Sequence, residues 1–307
     1  MALVTTKKLL IDARKKGVAV VAFNVNNMEL VQAITSAADE LKTPIILQVT
    51  SGAIKFAGIK YIRKLVEAAT ESISIDTALH LDHGADFEAC KAAVDSGFTS
   101  VMIDGSHLPF EENIAVTKKV VDYAHKKGVS VEGELGQIAG IEDNVSSEHS
   151  KYTDPQMAKE FVEKTGVDAL AISIGTAHGA FKYKVGSNPD LRFDICSAIR
   201  DLIPNTPLVL HGASSVTPED VKTINKFGGK IENAMGVAEE KLAKSIPCGV
   251  TKINVDSDLR LALTAALRQY FHDNPSHFDP RQYMTAARQH VKELVAKKLN
   301  IFSVGGK

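Results

Sequence analysis

Three ionisable side chains fall within four residues in His80-Leu81-Asp82-His83, where an apolar stretch gives way to a loop. Imidazoles can ligate a metal there, beside a carboxylate able to move a proton. The same kind of ending recurs downstream. Asp104, Glu132 with Glu134, His178, His211, and Asn254 with Asp256 each close a similar apolar stretch. The chain has ten histidines, and only some stand at such ends. His83, His178 in Gly175-Thr176-Ala177-His178-Gly179, and His211 in Leu210-His211-Gly212-Ala213-Ser214 each lie beside a small residue that admits a ligand. Three protein ligands with one position left open is a common catalytic zinc set. A lone strand-end histidine is more often simply hydrogen-bonded; three of them weigh against that bland reading.

Glu134 offers a carboxylate as a fourth or alternate ligand, and Asp104 could join it at a second cation position. Glu132 and Glu134 share one strand face by period-two alternation. A carboxylate inside an apolar strand is costly unless paired or metal-bound. His80, on the face of Asp82, is expected to orient a neighbour by hydrogen bonding. His107, His125, His149, His272, His277 and His290 fall on helices or polar loops, where surface or packing roles are expected. Small residues then cluster late in the chain: Gly179, Gly212-Ala213-Ser214, and Asn254-Val255-Asp256-Ser257. Backbone N–H groups there can cradle an anion, with Lys182 adding charge. Alone, Gly-Ala-Ser would be a tight turn; His211 beside it shifts the balance toward function.

The elements that must position these residues are eight apolar, β-branched runs. They cover Val18–Val25, Pro44–Thr50, Asp76–His83, Ser100–Ser106, Val129–Gly136, Ala169–Gly175, Pro207–Ser214 and Val250–Asp258. Helical patterns such as Met28–Leu41, Phe87–Ser96 and Glu112–Lys127 separate them. Near-continuous apolar runs indicate strands buried on both faces of a parallel sheet. Eight βα units with chemistry at nearly every strand end predict a (β/α)8 TIM barrel, whose sites lie at the strand C-termini. An open doubly wound sheet would confine its chemistry to a few strand ends at a switch point. No linker divides the chain, so residues 1–307 are expected to form one domain. Leu259–Tyr270 and Gln282–Leu299 read as additional C-terminal helices. The second could form a packing arm over about 275–307 or cover the barrel floor. Met1 to Gly17 reads as a short amphipathic helix capped by Thr5 or Thr6 and stopped by Gly17.

Bulk composition narrows the partners. With 307 residues, 44% hydrophobic and 24% charged, the chain is of ordinary globular type. Its 37 acids nearly cancel 36 bases, for a net charge of -1, so no basic field exists to hold nucleic acid. Three cysteines, Cys90, Cys196 and Cys248, are odd in number and form no C-x-x-C pair. Neither a disulfide framework nor a thiolate zinc site is expected. No stretch approaches the ~18 apolar residues of a membrane span. A signal-like N-terminal core is lacking too, so a cytoplasmic protein with a small-molecule substrate is expected.

Taken together, these residues resemble the class II, metal-dependent fructose-bisphosphate aldolases. The resemblance runs from Ala22-Phe23-Asn24 to Asp279-Pro280-Arg281. Its motifs are His80-Leu81-Asp82-His83-Gly84, Ser100-Val101-Met102-Ile103-Asp104, Glu132-Gly133-Glu134-Leu135-Gly136, Gly140-Ile141-Glu142-Asp143, Gly175-Thr176-Ala177-His178-Gly179, Leu210-His211-Gly212-Ala213-Ser214 and Asn254-Val255-Asp256-Ser257-Asp258. It implies catalytic zinc on His83, His178 and His211, with Glu134 and Asp104 near an alternate or second divalent cation. It implies that Asp82 exchanges a proton with the C4 hydroxyl of a ketose bisphosphate. Glu142, on a mobile loop after the fifth strand, would handle the proton at the ketose-derived carbon. Gly179, Lys182, Gly212, Ser214, Asn254, Asp256 and Ser257 would contact the dihydroxyacetone-phosphate end. Asn24 and Thr50 would touch the far half of the sugar; many relatives have Ser where Thr50 stands, which keeps the hydroxyl. Arg281 matches an arginine that reaches the distal phosphate across a dimer. A monovalent cation (Na+ or K+) beside the phosphate loops and a homodimer or homotetramer are implied as well.

The chemistry suits retro-aldol cleavage, in which a Lewis-acid metal polarises the ketose carbonyl. No Schiff-base lysine is then needed. Lys252 lies inside the eighth strand, and Lys182 fits phosphate better. A tagatose-bisphosphate or related ketose-phosphate aldolase is the alternative, since the two sugars differ only at C4. Asp256 with Arg260 resembles the fructose-type motif. A metal-dependent barrel hydrolase would carry an early His-x-His, and the first strand ends Ala22-Phe23-Asn24-Val25 instead. A catalytically dead phosphosugar-binding protein would have lost Asp82, Glu142 or a zinc histidine, and none is lost.

Overall fold

Period-two alternation of apolar residues lets each strand bury one face against helices and the other inside a ring. The computed structural model describes residues 3–142, 145–147, 151–179, 183 and 189–304. Its strands are β1 (Val20–Asn24), β2 (Ile45–Thr50), β3 (Thr77–Gly84), β4 (Ser100–Ile103), β5 (Ser130–Leu135), β6 (Ala139–Glu142), β7 (Val145–Ser147), β8 (Ala169–Ile172), β9 (Ala177–His178), β10 (Leu208–Leu210) and β11 (Val250–Val255). Eight of them close into a barrel in the order β1-β11-β10-β8-β5-β4-β3-β2. Neighbours are parallel throughout. The (β/α)8 barrel expected from the sequence is therefore the fold.

Helices follow in chain order as α1 (Thr6–Lys16), α2 (Met28–Glu40), α3 (Ser51–Ala57), α4 (Ile59–Glu71), α5 (Phe87–Asp95), α6 (Phe110–His125), α7 (Pro155–Thr165), α8 (Phe193–Leu202), α9 (Pro218–Lys226), α10 (Glu239–Ala243), α11 (Ser257–Asp273) and α12 (Pro280–Phe302). The N-cap of α1 is Thr5, whose hydroxyl accepts from Lys8 N–H. Val21, Phe23, Leu47, Leu79, Leu81 and Val131 point outward into the core shared with the helices. Val20, Ala22, Ile46, Ala78, Ala169, Ala171 and Val209 point inward and meet Leu9, Leu10 and Ala13 of α1. Thr6 Oγ1 lies 2.8 Å from both Ser100 Oγ and Ser130 Oγ. The floor, where strands begin, is thus closed by α1 and not by the last helix. Helix α12 instead packs along α2 and α11, and Ala19 N–H donates to Phe302 O.

Moving up the barrel interior, the inward positions change character. Above the apolar floor come Gln48, His80, Glu132 and Lys252, each at most 1% exposed. Asn24, Asp82, Glu134 and Asn254 follow at the strand C-termini, also buried. The observed strands are shorter than the apolar runs. Leu208–Leu210 is the paired part of Pro207–Ser214, and Gly212, at φ +61°, turns the chain beyond it. Segments β6, β7 and β9, which the apolar pattern did not indicate, form a separate three-stranded sheet. Among the described residues, no helix is long and apolar enough to cross a membrane.

Candidate active site

Alternation would send only one of Asp82 and His83 into the mouth, yet both reach it. The β3–β4 register breaks between Leu81 and Gly84, and His83 has φ +47°. A bulge with a left-handed residue re-aims the side chain, and such strain is kept where surrounding contacts over-determine it. His83 Nδ1 sits 3.0 Å from Asp104 Oδ2, and its Nε2 lies 2.9 Å from His211 Nδ1. Edge-on packing brings the His83 ring centroid to 5.0 Å from His178 and 4.6 Å from His211. One candidate ligand atom from each of His83, His178 and His211 lies within 4.8 Å of the others. The same holds for His83, Asp104 and Glu134, and all five residues are buried. The five metal candidates of the sequence thus share one locus at the barrel mouth.

Hydrogen-bond partners orient the rings there. His211 Nε2 lies 2.8 Å from Glu132 Oε1, so its proton belongs on Nε2; the Asp104 contact places the His83 proton on Nδ1. Burial, with His83 and Lys252 nearby, pushes the His211 pKa far down and keeps the ring neutral. His211 Nδ1, left without a proton, then faces His83 Nε2 at 2.9 Å. Both nitrogens belong to a set of clustered ligand atoms, and imidazole with carboxylate suits zinc. For Asp104, burial acts to raise the carboxyl, but His83 and Ser106 outweigh it and hold it well below the usual carboxylate range.

Asp82, fully buried, is gripped by two amides. Asn24 Nδ2 donates to Oδ2 at 3.0 Å, and Asn254 Nδ2 donates to Oδ1 at 3.2 Å. Burial would raise its carboxyl, yet His83, Lys252 and the Asn24 amide together lower it. Gln48 Nε2 donates to Asn24 Oδ1 at 2.6 Å and so orients the amide that orients Asp82. The sequence reading missed Gln48; its signal was an amide two residues before Thr50 in an otherwise apolar strand. It also assigned no role to Lys252. That ammonium is fully buried and pairs with Glu132 Oε2 at 2.9 Å, beneath the histidines. His80 Nδ1 bonds Ser100 Oγ at 2.8 Å and stands apart from the ligand set.

Gly179, Gly212, Ser214, Asn254, Asp256 and Ser257 line one cleft together with His178 and Ala213. Ser257 opens α11, whose N–H groups and dipole favour an anion. Asp256 is paired with Arg260, Oδ1 accepting from Nε at 2.9 Å. Thr50 Oγ1 accepts from Ala53 N–H as the cap of α3, which leaves its own proton to donate. Arg281 stays outside this cleft: its side chain is 88% exposed and bonds Asp279. Lys182 lies outside the described residues, as does the side chain of Glu142. The backbone at Glu142 is not an irregular loop. It belongs to β6, antiparallel to β7 and parallel to β9, with Gly140 opposite His178. Of the remaining histidines, His125 pairs with Asp168, His290 with Asp220, and His277 with the Tyr270 hydroxyl. His149 is outside the described residues.

Known proteins resemble this chain over nearly its whole length. The sequence pattern of the family described as "Fructose-bisphosphate aldolase class-II" matches residues 4–307. A fructose-bisphosphate aldolase of Giardia intestinalis is 50% identical over 100% of this chain and 94% of that relative. One from Thermus caldophilus is 46% identical over 99% of both. Among solved structures, the YdjI aldolase from Escherichia coli K12 matches with a TM-score of 0.80 at 30% identity, covering 99% of each chain.

Proposed function

This chain belongs to the class-II fructose-bisphosphate aldolase family, and we propose that its buried histidine cluster is the centre at which fructose 1,6-bisphosphate is cleaved reversibly to dihydroxyacetone phosphate and glyceraldehyde 3-phosphate. The observation that carries this assignment to particular residues is the meeting of His83, His178 and His211 beside the buried carboxylate of Asp82. The family is zinc-dependent in general, and His83, His178 and His211 would hold the ion, with Asp104 and Glu134 near an alternate or second position. When bound, a divalent cation supplies Lewis-acid polarisation of the ketose C2 carbonyl.

The chain's own groups do the rest. Asp82, ionised and fixed by Asn24 and Asn254, takes the C4 hydroxyl proton. The C3–C4 bond then breaks, its electron pair moving toward C2 while C4–O becomes the aldehyde carbonyl. Glu142 returns a proton to C3. Gly179, Gly212, Ser214 and the N-terminus of α11 hold the phosphate nearest that carbon, and a monovalent cation beside these loops would add to the field. Positioned acid and base groups each contribute about 10²–10⁴-fold. Arg281 is exposed and does not line its own cleft, which suits action on the distal phosphate in a neighbouring copy of a homo-oligomer.

The test is cleavage of fructose and tagatose 1,6-bisphosphate side by side, with and without chelator and zinc add-back. Chelator-sensitive activity preferring fructose supports the proposal. A tagatose preference would keep the chemistry and overturn the substrate. Activity that survives complete metal removal would remove the metal centre from the mechanism.

A further inference from the structure

A second group of buried charges lies away from the histidines. Lys298 of α12 is fully buried on the face that also buries Val291, Leu294, Val295, Leu299 and Phe302. An ammonium on an apolar helix face is costly unless paired. Its Nζ donates to Asp258 Oδ2 at 2.5 Å and to Ser215 Oγ at 2.7 Å, and lies 2.8 Å from Glu239 Oε1. Asp258, in the first turn of α11, accepts in turn from the backbone N–H groups of Ser215 at 3.0 Å and Val216 at 2.6 Å. Val216 has φ +54°. A β-branched residue adopts that left-handed conformation only under constraint. On the other side, Gly236 packs so tightly that a Cβ would come within 2.3 Å of Ser214 O. Residues 214–216 thus follow a path imposed from outside the loop, and Asp258 supplies two of the hydrogen bonds that impose it.

We propose that Lys298 is a positioning residue for substrate binding: by pairing with Asp258 it holds Ser214–Val216 in the shape that presents Gly212 and Ser214 to the substrate phosphate. The inference rests on the anion-binding role proposed above for that loop. The ammonium compensates the buried Asp258 carboxylate at 2.5 Å, and hydrogen bonds from the two amides to a carboxylate so placed are charge-assisted. An apolar side chain would fill the space but leave the buried Asp258 carboxylate without its cation, while Glu239 would keep only Lys297, 2.9 Å from its Oε2. The C-terminal helix, which contributes nothing to the cleft lining, thereby acts on phosphate affinity.

The experiment uses the zinc-loaded full chain as wild type, Lys298→Met, and the double variant Lys298→Met with Glu239→Gln. The double variant keeps the net charge of the buried group and guards against simple unfolding. Calorimetry gives the Kd for dihydroxyacetone phosphate, chelator competition gives zinc affinity, and steady-state cleavage gives KM and kcat. Both variants are expected to weaken dihydroxyacetone phosphate binding and raise KM by about tenfold, with kcat within about threefold and zinc affinity unchanged. A lysine of purely structural role would lower the melting temperature and leave Kd and KM where they were, which overturns the proposal. Equal loss of zinc and phosphate affinity, or failure of both variants to fold, overturns it too. Ser214→Ala is measured alongside. If it leaves phosphate binding intact, the anion-loop reading itself fails; if it weakens binding while the Lys298 variants do not, only the role of Lys298 falls.

Discussion

His211 is held from behind by Glu132: Nε2 donates to Oε1 at 2.8 Å, and Glu132 is itself paired with the buried Lys252 at 2.9 Å. The carboxylate fixes the ring's tautomer and turns Nδ1 toward His83. Partners of this kind orient metal ligands, and their loss costs about 10–100-fold in metal affinity. Glu132→Gln should therefore weaken zinc binding by about that factor, read by chelator competition, even though Gln can still accept the hydrogen bond. Wild-type affinity in this variant would show that the pairing has no hold on the metal.

Asp82→Ala removes the group assigned to the C4 hydroxyl proton while leaving every metal candidate in place. Cleavage should fall by about 10²–10⁴-fold or more, with zinc content and melting temperature near wild type. Asn24→Ala should reproduce part of the loss, because Asn24 Nδ2 is one of the two donors to Asp82. An Asp82→Ala enzyme that still turns over at the wild-type rate would take Asp82 out of the mechanism.

Much of this arrangement was legible in the residues, and the limits have physical reasons. The strand-end histidines and acids stand out because each ionisable group closes an apolar run, and burying such a group demands a partner. Which partner was not legible: Glu132 and Lys252 are 120 residues apart and meet only because β5 and β11 line the same interior layer. Nor does alternation reveal that Asp82 and His83 share the mouth, since that depends on the register break before Gly84. The sheet of β6, β7 and β9 was invisible for another reason. Its pieces are two to four residues long, and their pairing is set by tertiary contact, not by an apolar period. Both arginine and aspartate of the Asp256–Arg260 pair were noticed in the sequence, but their direct contact came from the first turn of α11.

Stability should carry a signature from His290. Its Nε2 lies 2.7 Å from Asp220 Oδ1 in a half-buried setting, and that hydrogen bond, against the opposing effect of burial, raises the imidazole above its ordinary 6.5. A raised folded-state value means that the protonated ring stabilises the fold. The contribution is fully present below the unfolded value and is lost as pH rises through the folded one. His290→Gln should therefore be less stable than wild type at about pH 5.5, and the gap should close by about pH 9. Denaturant titrations at both values decide it; a gap that widens with pH would reverse the sign and refute the pairing.

Gly140 couples the strand carrying Glu142 to the strand carrying His178. It pairs with His178 across β6 and β9 at φ +107°, and a Cβ there would sit 2.3 Å from His178 O and 2.8 Å from His178 N. Backbone cannot yield as a side-chain tip does, so Gly140→Ala must part the two strands or distort both. The position also lies in a region of backbone space that side-chain-bearing residues avoid. With Glu142 two residues further along β6, parting the strands moves the proposed proton donor away from the metal candidates. Gly140→Ala should lower kcat by at least about tenfold, since displacement by an ångström costs around 10²-fold in well-positioned groups. Its melting temperature should change less than its rate, because β6, β7 and β9 form a sheet separate from the barrel. Measuring kcat together with thermal unfolding separates these effects: a variant that melts early but turns over normally would show that the strand contact serves the fold and not the proton transfer.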